Sequence, residues 1–176
     1  MFYISPFLSS NYIISDNVPL YKWGSIVSGV TADLPKTLAV ADRIKFVTIM
    51  KGYAKDFMFK MTGSGYEASF GYKQSQDSGG AKNKFYIVET NVAAAYVDFT
   101  WPAVDGELSC NIKFTATNYK VSCNGVTLPV YAYKAGGGAF KAEKWTVDLA
   151  DGQTIDVELV PSVVGTSTVI LASFQA

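Results

Sequence analysis

The sequence predicts an all-β protein built from two small antiparallel β-sandwich modules in tandem, with an N-terminal arm in front of them. Three observations lead to this fold class. Apolar residues alternate with polar ones along most of the chain, turn-forming pairs separate these runs, and segment 59–116 resembles segment 119–176. Helical periodicity is scarce, so we expect short strands joined by tight turns throughout.

Alternation with a period of two defines the strands that should line a core, because successive side chains of a strand point to opposite faces. The clearest inward-facing sets are Tyr66, Ala68, Phe70 and Tyr72; Leu108, Cys110, Ile112 and Phe114; Trp145, Val147 and Leu149; and Ile155, Val157 and Leu159. The runs 44–50 and 169–174 are apolar at nearly every position. They are predicted to be central strands or strands covered on both faces.

Short segments rich in Gly, Asn and Asp, which tolerate positive φ, mark the turns between these strands. They are Gly63-Ser64-Gly65, Asp105-Gly106, Asn124-Gly125 and Asp151-Gly152. The run Gly136-Gly137-Gly138 is interpreted as a further hairpin loop. About ten or eleven short strands result from this spacing, which is typical of β-sandwiches.

Similarity between two halves of the chain predicts the tandem modules. Phe59-Lys60-Met61-Thr62 recurs as Tyr119-Lys120-Val121-Ser122, and Lys84-Phe85 recurs as Lys144-Trp145. Repetition at a constant offset of about 60 residues is the pattern of a duplicated unit. We therefore expect an arm at 1–36, a first module at 37–117 and a second module at 118–176.

The predicted arm is strongly apolar, whereas free termini are usually polar and mobile. It should therefore be docked, either as a strand that completes the first module or as an arm that lies on a neighbouring subunit. In the second case the candidate assembly contacts are Phe2, Tyr3, Phe7 and Leu8. The arm has no Lys or Arg before its apolar part, so we expect no secretion signal.

Composition excludes several classes of function. The 15 basic residues balance the 15 acidic ones, and Arg43 is the single arginine, so nucleic-acid binding is not expected. The chain has no histidine, which removes the most frequent general base and transition-metal ligand. Asp148, Asp151 and Asp156 flank one turn without the spacing of an EF-hand. We expect no enzymatic activity, no cofactor, no metal site and no membrane span.

The two cysteines leave an alternative open. Cys110 and Cys123 would lie opposite each other if the chain turned tightly near 116–117, so a disulfide across two strands is feasible. That turn lacks Asn-Gly chemistry, and a chain kept in the cytosol stays reduced. We expect buried free thiols, without excluding the disulfide.

Tryptophan and tyrosine side chains are the candidate ligand contacts, because their flat rings can stack on a sugar. Trp145 alternates with core positions and is predicted to be buried. Trp101, next to Pro102 at a strand end, is the better surface candidate, and Trp23 is the second.

Each half ends in a strand, a Pro-(Ala/Ser)-Val-x-Gly turn and a strand, as in 154–174. This pattern resembles the last hairpin of immunoglobulin-like and BACON-type modules, small β-sandwiches that are frequent in Bacteroidetes proteins and their phages. The resemblance implies a non-enzymatic structural subunit of a tailed-phage particle, in its capsid decoration, head fibre or tail. Its partners would be other virion proteins and copies of itself, and it would reside in the virion. The alternative is a carbohydrate-binding or adhesion module that holds a surface glycan through Trp101.

Overall fold

The computed structural model describes residues 20–72, 84–90, 94–128, 131–132 and 141–162. Within these ranges the chain forms thirteen β-strands and one 3-10 turn at Ala54–Asp56. The strands are β1 Tyr21–Val27, β2 Thr31–Asp33, β3 Arg43–Ile49, β4 Met58–Gly63, β5 Tyr66–Gly71, β6 Lys84–Glu89, β7 Ala95–Asp98, β8 Glu107–Phe114, β9 Asn118–Cys123, β10 Val126–Thr127, β11 Tyr131–Ala132, β12 Ala142–Asp148 and β13 Thr154–Val160. No helix in the described part of the chain is long and apolar enough to cross a membrane.

The strands form two antiparallel sheets that pack face to face as one β-sandwich. The seven-stranded sheet has the order β1-β13-β3-β8-β9-β10, with β11 also paired to β9. The six-stranded sheet has the order β2-β12-β4-β5-β6-β7. The inner faces of both sheets contribute to one continuous cluster of buried apolar residues. The prediction of an all-β, antiparallel sandwich is confirmed.

The prediction of two tandem modules is wrong. Strand β12 comes from the proposed second module and pairs with β4 of the proposed first module, for example Trp145 with Met61. Strand β13 likewise pairs with β3, for example Val157 with Phe46. Since each sheet contains strands from both proposed modules and the buried residues form one cluster, neither module has a core of its own.

The similarity between the halves arises from strand chemistry. The matched segments Phe59–Gly63 and Tyr119–Cys123 lie in strands β4 and β9, which belong to opposite sheets. Each segment is a half-buried strand that leads into a glycine-containing turn, and this is enough to give similar residue patterns.

The predicted inward-facing residues are confirmed in β8, β12 and β13. Ile112 and Trp145 are fully buried, and Val157 is 1% exposed. The run 44–50 is central, because β3 lies between β13 and β8, but it is not covered on both faces. Val47 and Ile49 point outward and are 39% and 41% exposed.

The N-terminal region contributes strands to both sheets. Strand β1 forms the edge of the seven-stranded sheet beside β13, and β2 forms the edge of the six-stranded sheet beside β12. The predicted assembly contacts Phe2, Tyr3, Phe7 and Leu8 lie outside the described residues, as does the run 169–174.

The two cysteines form a disulfide, so the expectation of buried free thiols is wrong. Cys110 of β8 lies directly opposite Cys123 of β9, and the two Cα atoms are 4.1 Å apart. The tight connection at 115–118 sets this register, since the Thr115 hydroxyl accepts the backbone N–H of Asn118 at 3.0 Å and donates to its carbonyl oxygen at 3.0 Å. The disulfide joins neighbouring strands across the inner face of the seven-stranded sheet.

Candidate functional site

The outer face of the six-stranded sheet carries a group of tyrosines at the end formed by β6 and β7. Register places Tyr86 opposite Tyr96, and Lys84 opposite Asp98. The intervening residue Phe85 is fully buried in the core, so Lys84 and Tyr86 point away from it. We call the group of Tyr72, Tyr86, Tyr96, Lys84 and Asp98 the tyrosine platform.

Gly71 brings Tyr72 to this platform. The alternation of β5 predicts Tyr72 in the core, but Gly71 has a φ of 147° and interrupts the pattern. A Cβ at Gly71 would approach the carbonyl oxygen of Phe57 to 2.5 Å, so no larger residue fits there. The Tyr72 ring therefore packs against Tyr86, with ring centroids 6.5 Å apart. Tyr72 is buried, as the alternation predicts, at 7% exposed, but it packs against Tyr86 and lies outside the main apolar cluster.

Tyr86 is the fixed centre of the platform. Its ring lies between Tyr72 and Tyr96, at 86° to the first and 48° to the second, and its side chain is only 1% exposed. It is nevertheless not a member of the apolar core cluster. Tyr96 is 56% exposed and presents the accessible aromatic ring of the group.

A charged pair borders the exposed ring. Lys84 Nζ lies 2.6 Å from Asp98 Oδ1 and 4.7 Å from the centroid of Tyr96. The hydrogen bond to Asp98 raises the pKa of Lys84 above its ordinary value of 10.5, while desolvation acts in the opposite direction. The Asp98 side chain is 76% exposed, so its carboxylate is open to solvent beside the tyrosine ring.

Aromatic packing under the sheet holds this end of the sandwich. Trp101 stacks on Phe85 at 5.4 Å and meets Phe99 edge-on at 5.2 Å. The Trp101 Nε1 group donates a hydrogen bond to the backbone oxygen of Lys84 at 3.1 Å. Trp101 thereby fixes the start of β6, on which Lys84 and Tyr86 are mounted.

The structure does not bring the two sequence-predicted ligand contacts together. Trp101 is partly buried against the core, and its indole N–H is already used by Lys84. Trp23 lies on β1, at the edge of the other sheet, and packs edge-on against Trp145 at 5.5 Å. A direct contact of Trp101 or Trp23 with a ligand stays a prediction, whereas the burial predicted for Trp145 is confirmed.

Sequence reasoning missed Tyr96, Lys84 and Asp98. Lys84 and Asp98 are 14 residues apart, and only the register of β6 with β7 shows that they face each other. The alternation of Tyr96 and Asp98 with Ala95 and Val97 was the available signal, since it places both polar side chains on one outer face.

The platform offers the two kinds of contact that a sugar requires. A tyrosine ring provides a flat apolar face for the C–H groups of a pyranose. An ammonium group donates hydrogen bonds and a carboxylate accepts them, so the pair can bind neighbouring hydroxyl groups. No residue of the platform forms a nucleophile–base pair, and within the described residues no three metal-ligating side chains come together.

No protein-family model matches the sequence, and no curated protein resembles it in sequence. Solved structures of galectins are similar in fold. The galectin LEC-6 of Caenorhabditis elegans aligns with a TM-score of 0.64 and 8% identity over 85% of this chain and 99% of that one. Sheep galectin-11 in complex with glycerol aligns with a TM-score of 0.52 and 10% identity, over 79% and 97% of the two chains. A variant of human galectin-16 aligns with a TM-score of 0.54 and 7% identity, over 74% and 96%.

These similarities correct the function inferred from the sequence. One galectin-like sandwich spans the described chain, so the resemblance to tandem immunoglobulin-like modules is not the right comparison. The prediction of a tailed-phage structural subunit, which depended on that resemblance, is wrong. The chain has a galectin-like β-sandwich fold.

Proposed function

We propose that this protein is a carbohydrate-binding protein without catalytic activity, and that the tyrosine platform is its binding site. The observation that carries the proposal is the exposed ring of Tyr96 beside the Lys84–Asp98 pair. A sugar ring stacks on Tyr96, while its hydroxyl groups accept hydrogen bonds from Lys84 and donate hydrogen bonds to Asp98.

The rigid surroundings of Tyr96 support this role. The centroid of its ring lies 5.7 Å from that of the buried Tyr86, and the ammonium nitrogen of Lys84 lies 4.7 Å from the Tyr96 centroid. A ring held before binding loses little side-chain entropy when the ligand arrives. The galectin-like fold supports the same class of function, since the galectin neighbours are lectins.

A screen of immobilised glycans tests the proposal. We expect the intact protein to bind a subset of neutral glycans, and Tyr96→Ala to weaken that binding by on the order of tenfold, as for loss of a stacking contact of about 1–1.5 kcal/mol. Because Tyr96 is largely exposed, the variant should remain folded.

Tyr53→Ala is the matched control. Tyr53 is 64% exposed and lies in the loop before the 3-10 turn, off the sheet face. It should leave glycan binding unchanged. A screen without hits, or equal losses for the Tyr96 and Tyr53 variants, would overturn the proposed site.

A further inference from the structure

The outer face of the seven-stranded sheet carries three basic side chains in one line. Arg43 of β3 lies opposite Lys113 of β8, and Lys113 lies opposite Lys120 of β9. Neighbouring strands are about 4.8 Å apart, so the line is roughly 10 Å long. Ile44 and Ile112, the next residues on β3 and β8, are buried, which places the basic side chains on the outer face. We call Arg43, Lys113 and Lys120 the basic row.

The basic row has no acidic partner among the described residues. Within the described residues none of its members forms an ion pair, and the residue opposite Arg43 on the far side is Val160. Like charges that face each other across strands destabilise a sheet. Elsewhere this protein pairs its cross-strand charges, as in Lys22 with Glu158. The stability of the fold therefore does not explain why these three basic side chains lie next to each other.

A fourth basic side chain on this face has an acidic neighbour. Lys45 of β3 lies opposite Glu158 of β13 on one side and opposite Asn111 of β8 on the other. Lys45 is therefore not a member of the basic row, whose three side chains lie next to each other on β3, β8 and β9.

We propose that the basic row binds a linear polysaccharide that carries sulfate or carboxylate groups. Arg43, Lys113 and Lys120 contact the anionic groups through charge-assisted hydrogen bonds. This site lies on the sheet opposite to the tyrosine platform, and it does not depend on the function proposed for that platform.

The shape of the charge distribution favours a narrow ligand. The same face carries acidic side chains beside the row, at Glu107 of β8 and at Asp156 and Glu158 of β13. An anionic membrane or a nucleic-acid duplex would cover these acids together with the row and be repelled by them. A single polysaccharide chain that lies across β3, β8 and β9 meets only the cations. The described part of this face also presents no aromatic ring on which bases of a single-stranded nucleic acid could stack.

The test measures binding of dextran sulfate to the protein by titration calorimetry at about 0.15 M salt. Unmodified dextran serves as the uncharged control ligand. We expect the intact protein to bind dextran sulfate and not dextran, with affinity that falls as salt rises. Lys113→Gln and Lys120→Gln should each weaken binding by roughly twofold to fivefold, and the double variant by on the order of tenfold. Lys144→Gln, an exposed lysine on the other sheet, is the charge-matched control and should have no effect.

A second readout separates this role from a structural one. Lys113→Gln removes a repulsion, so its melting temperature should equal or exceed that of the native protein while its affinity falls. Tyr96→Ala should retain dextran sulfate binding, which keeps this test independent of the tyrosine platform. The proposal is overturned if the intact protein ignores dextran sulfate, if Lys144→Gln loses as much affinity as Lys113→Gln, or if anionic vesicles bind and dextran sulfate does not.

Discussion

Lys84 and Asp98 face each other across strands β6 and β7, with 2.6 Å between the ammonium nitrogen and a carboxylate oxygen. This pair fixes the charge beside the exposed ring of Tyr96. The hydrogen bond between the two side chains also raises the pKa of Lys84.

Replacing Asp98 by Asn should return the pKa of Lys84 towards its ordinary value of 10.5, because the charged hydrogen-bond partner is lost. The side-chain NMR titration of Lys84 measures this shift. Because the pKa of Lys84 is higher in the folded protein than the 10.5 of the unfolded chain, the charged lysine stabilises the folded state. This stabilisation is fully present below pH 10.5 and is lost as the pH rises through the pKa of the folded state. Asp98→Asn should therefore reduce the pH dependence of stability only in this alkaline range. An unchanged titration of Lys84 would contradict the assignment.

Replacing Trp145 by Ala should destabilise the whole protein by about 3–5 kcal/mol, as for other buried aromatic residues. The Trp145 ring stacks on Phe59 of the neighbouring strand at 5.7 Å and meets Trp23 of the other sheet at 5.5 Å. Urea denaturation followed by circular dichroism and by tryptophan fluorescence should give one coincident transition that moves as a unit. Two separate transitions, with only one affected by the substitution, would restore the idea of two modules.

Replacing Asp42 by Asn should lower the free energy of unfolding by about 1.5–3 kcal/mol, the range for hydrogen bonds to charged groups. Asp42 is fully buried and accepts hydrogen bonds from Lys36 Nζ at 2.7 Å and from the backbone N–H of Ser162 at 2.6 Å. It thereby ties the segment before β3 to the segment after β13. Chemical denaturation measures the loss. The exposed Asp151→Asn should change stability by less than about 0.5 kcal/mol, and equal effects of the two substitutions would refute the role of Asp42.

Removing the disulfide by replacing Cys110 and Cys123 with Ala should destabilise the fold by about 2–3 kcal/mol, because it closes a short loop. The two cysteines are 13 residues apart. Alkylation of the denatured, unreduced protein should find no free thiol, and thermal melts with and without reductant give the size of the effect. Two alkylated cysteines in the unreduced protein would favour the free thiols expected from the sequence.

Local patterns in the sequence were sufficient for the strands but not for their arrangement. The alternation through Ile112 and Phe114 identified inward-facing residues correctly, because the pleat of a strand depends only on near neighbours. Pairings such as Trp23 with Val157 join the ends of the described chain, and no local signal encodes them. Similar strands in opposite sheets consequently looked like two copies of one module.

The binding site was less accessible to sequence reasoning than the fold. The prediction favoured Trp101 because it lies next to Pro102 at a strand end, yet its ring packs against the core and its N–H donates a hydrogen bond to the backbone oxygen of Lys84. Tyr86, for which the sequence made no prediction, lies on the outer face of the sheet and is 1% exposed. The tyrosine platform depends on the register between β6 and β7, so it can be identified only when the pairing of these strands is known.

Mapping of the binding site by NMR tests the account most directly. The backbone amides of the labelled protein are followed during titration with the tightest-binding neutral glycan from the screen. The account predicts that the perturbed amides cluster around Lys84, Tyr86, Tyr96 and Asp98, and that Tyr96→Ala needs a higher glycan concentration to give the same perturbations. Perturbations confined to the seven-stranded sheet, or to the neighbourhood of Trp23, would contradict it.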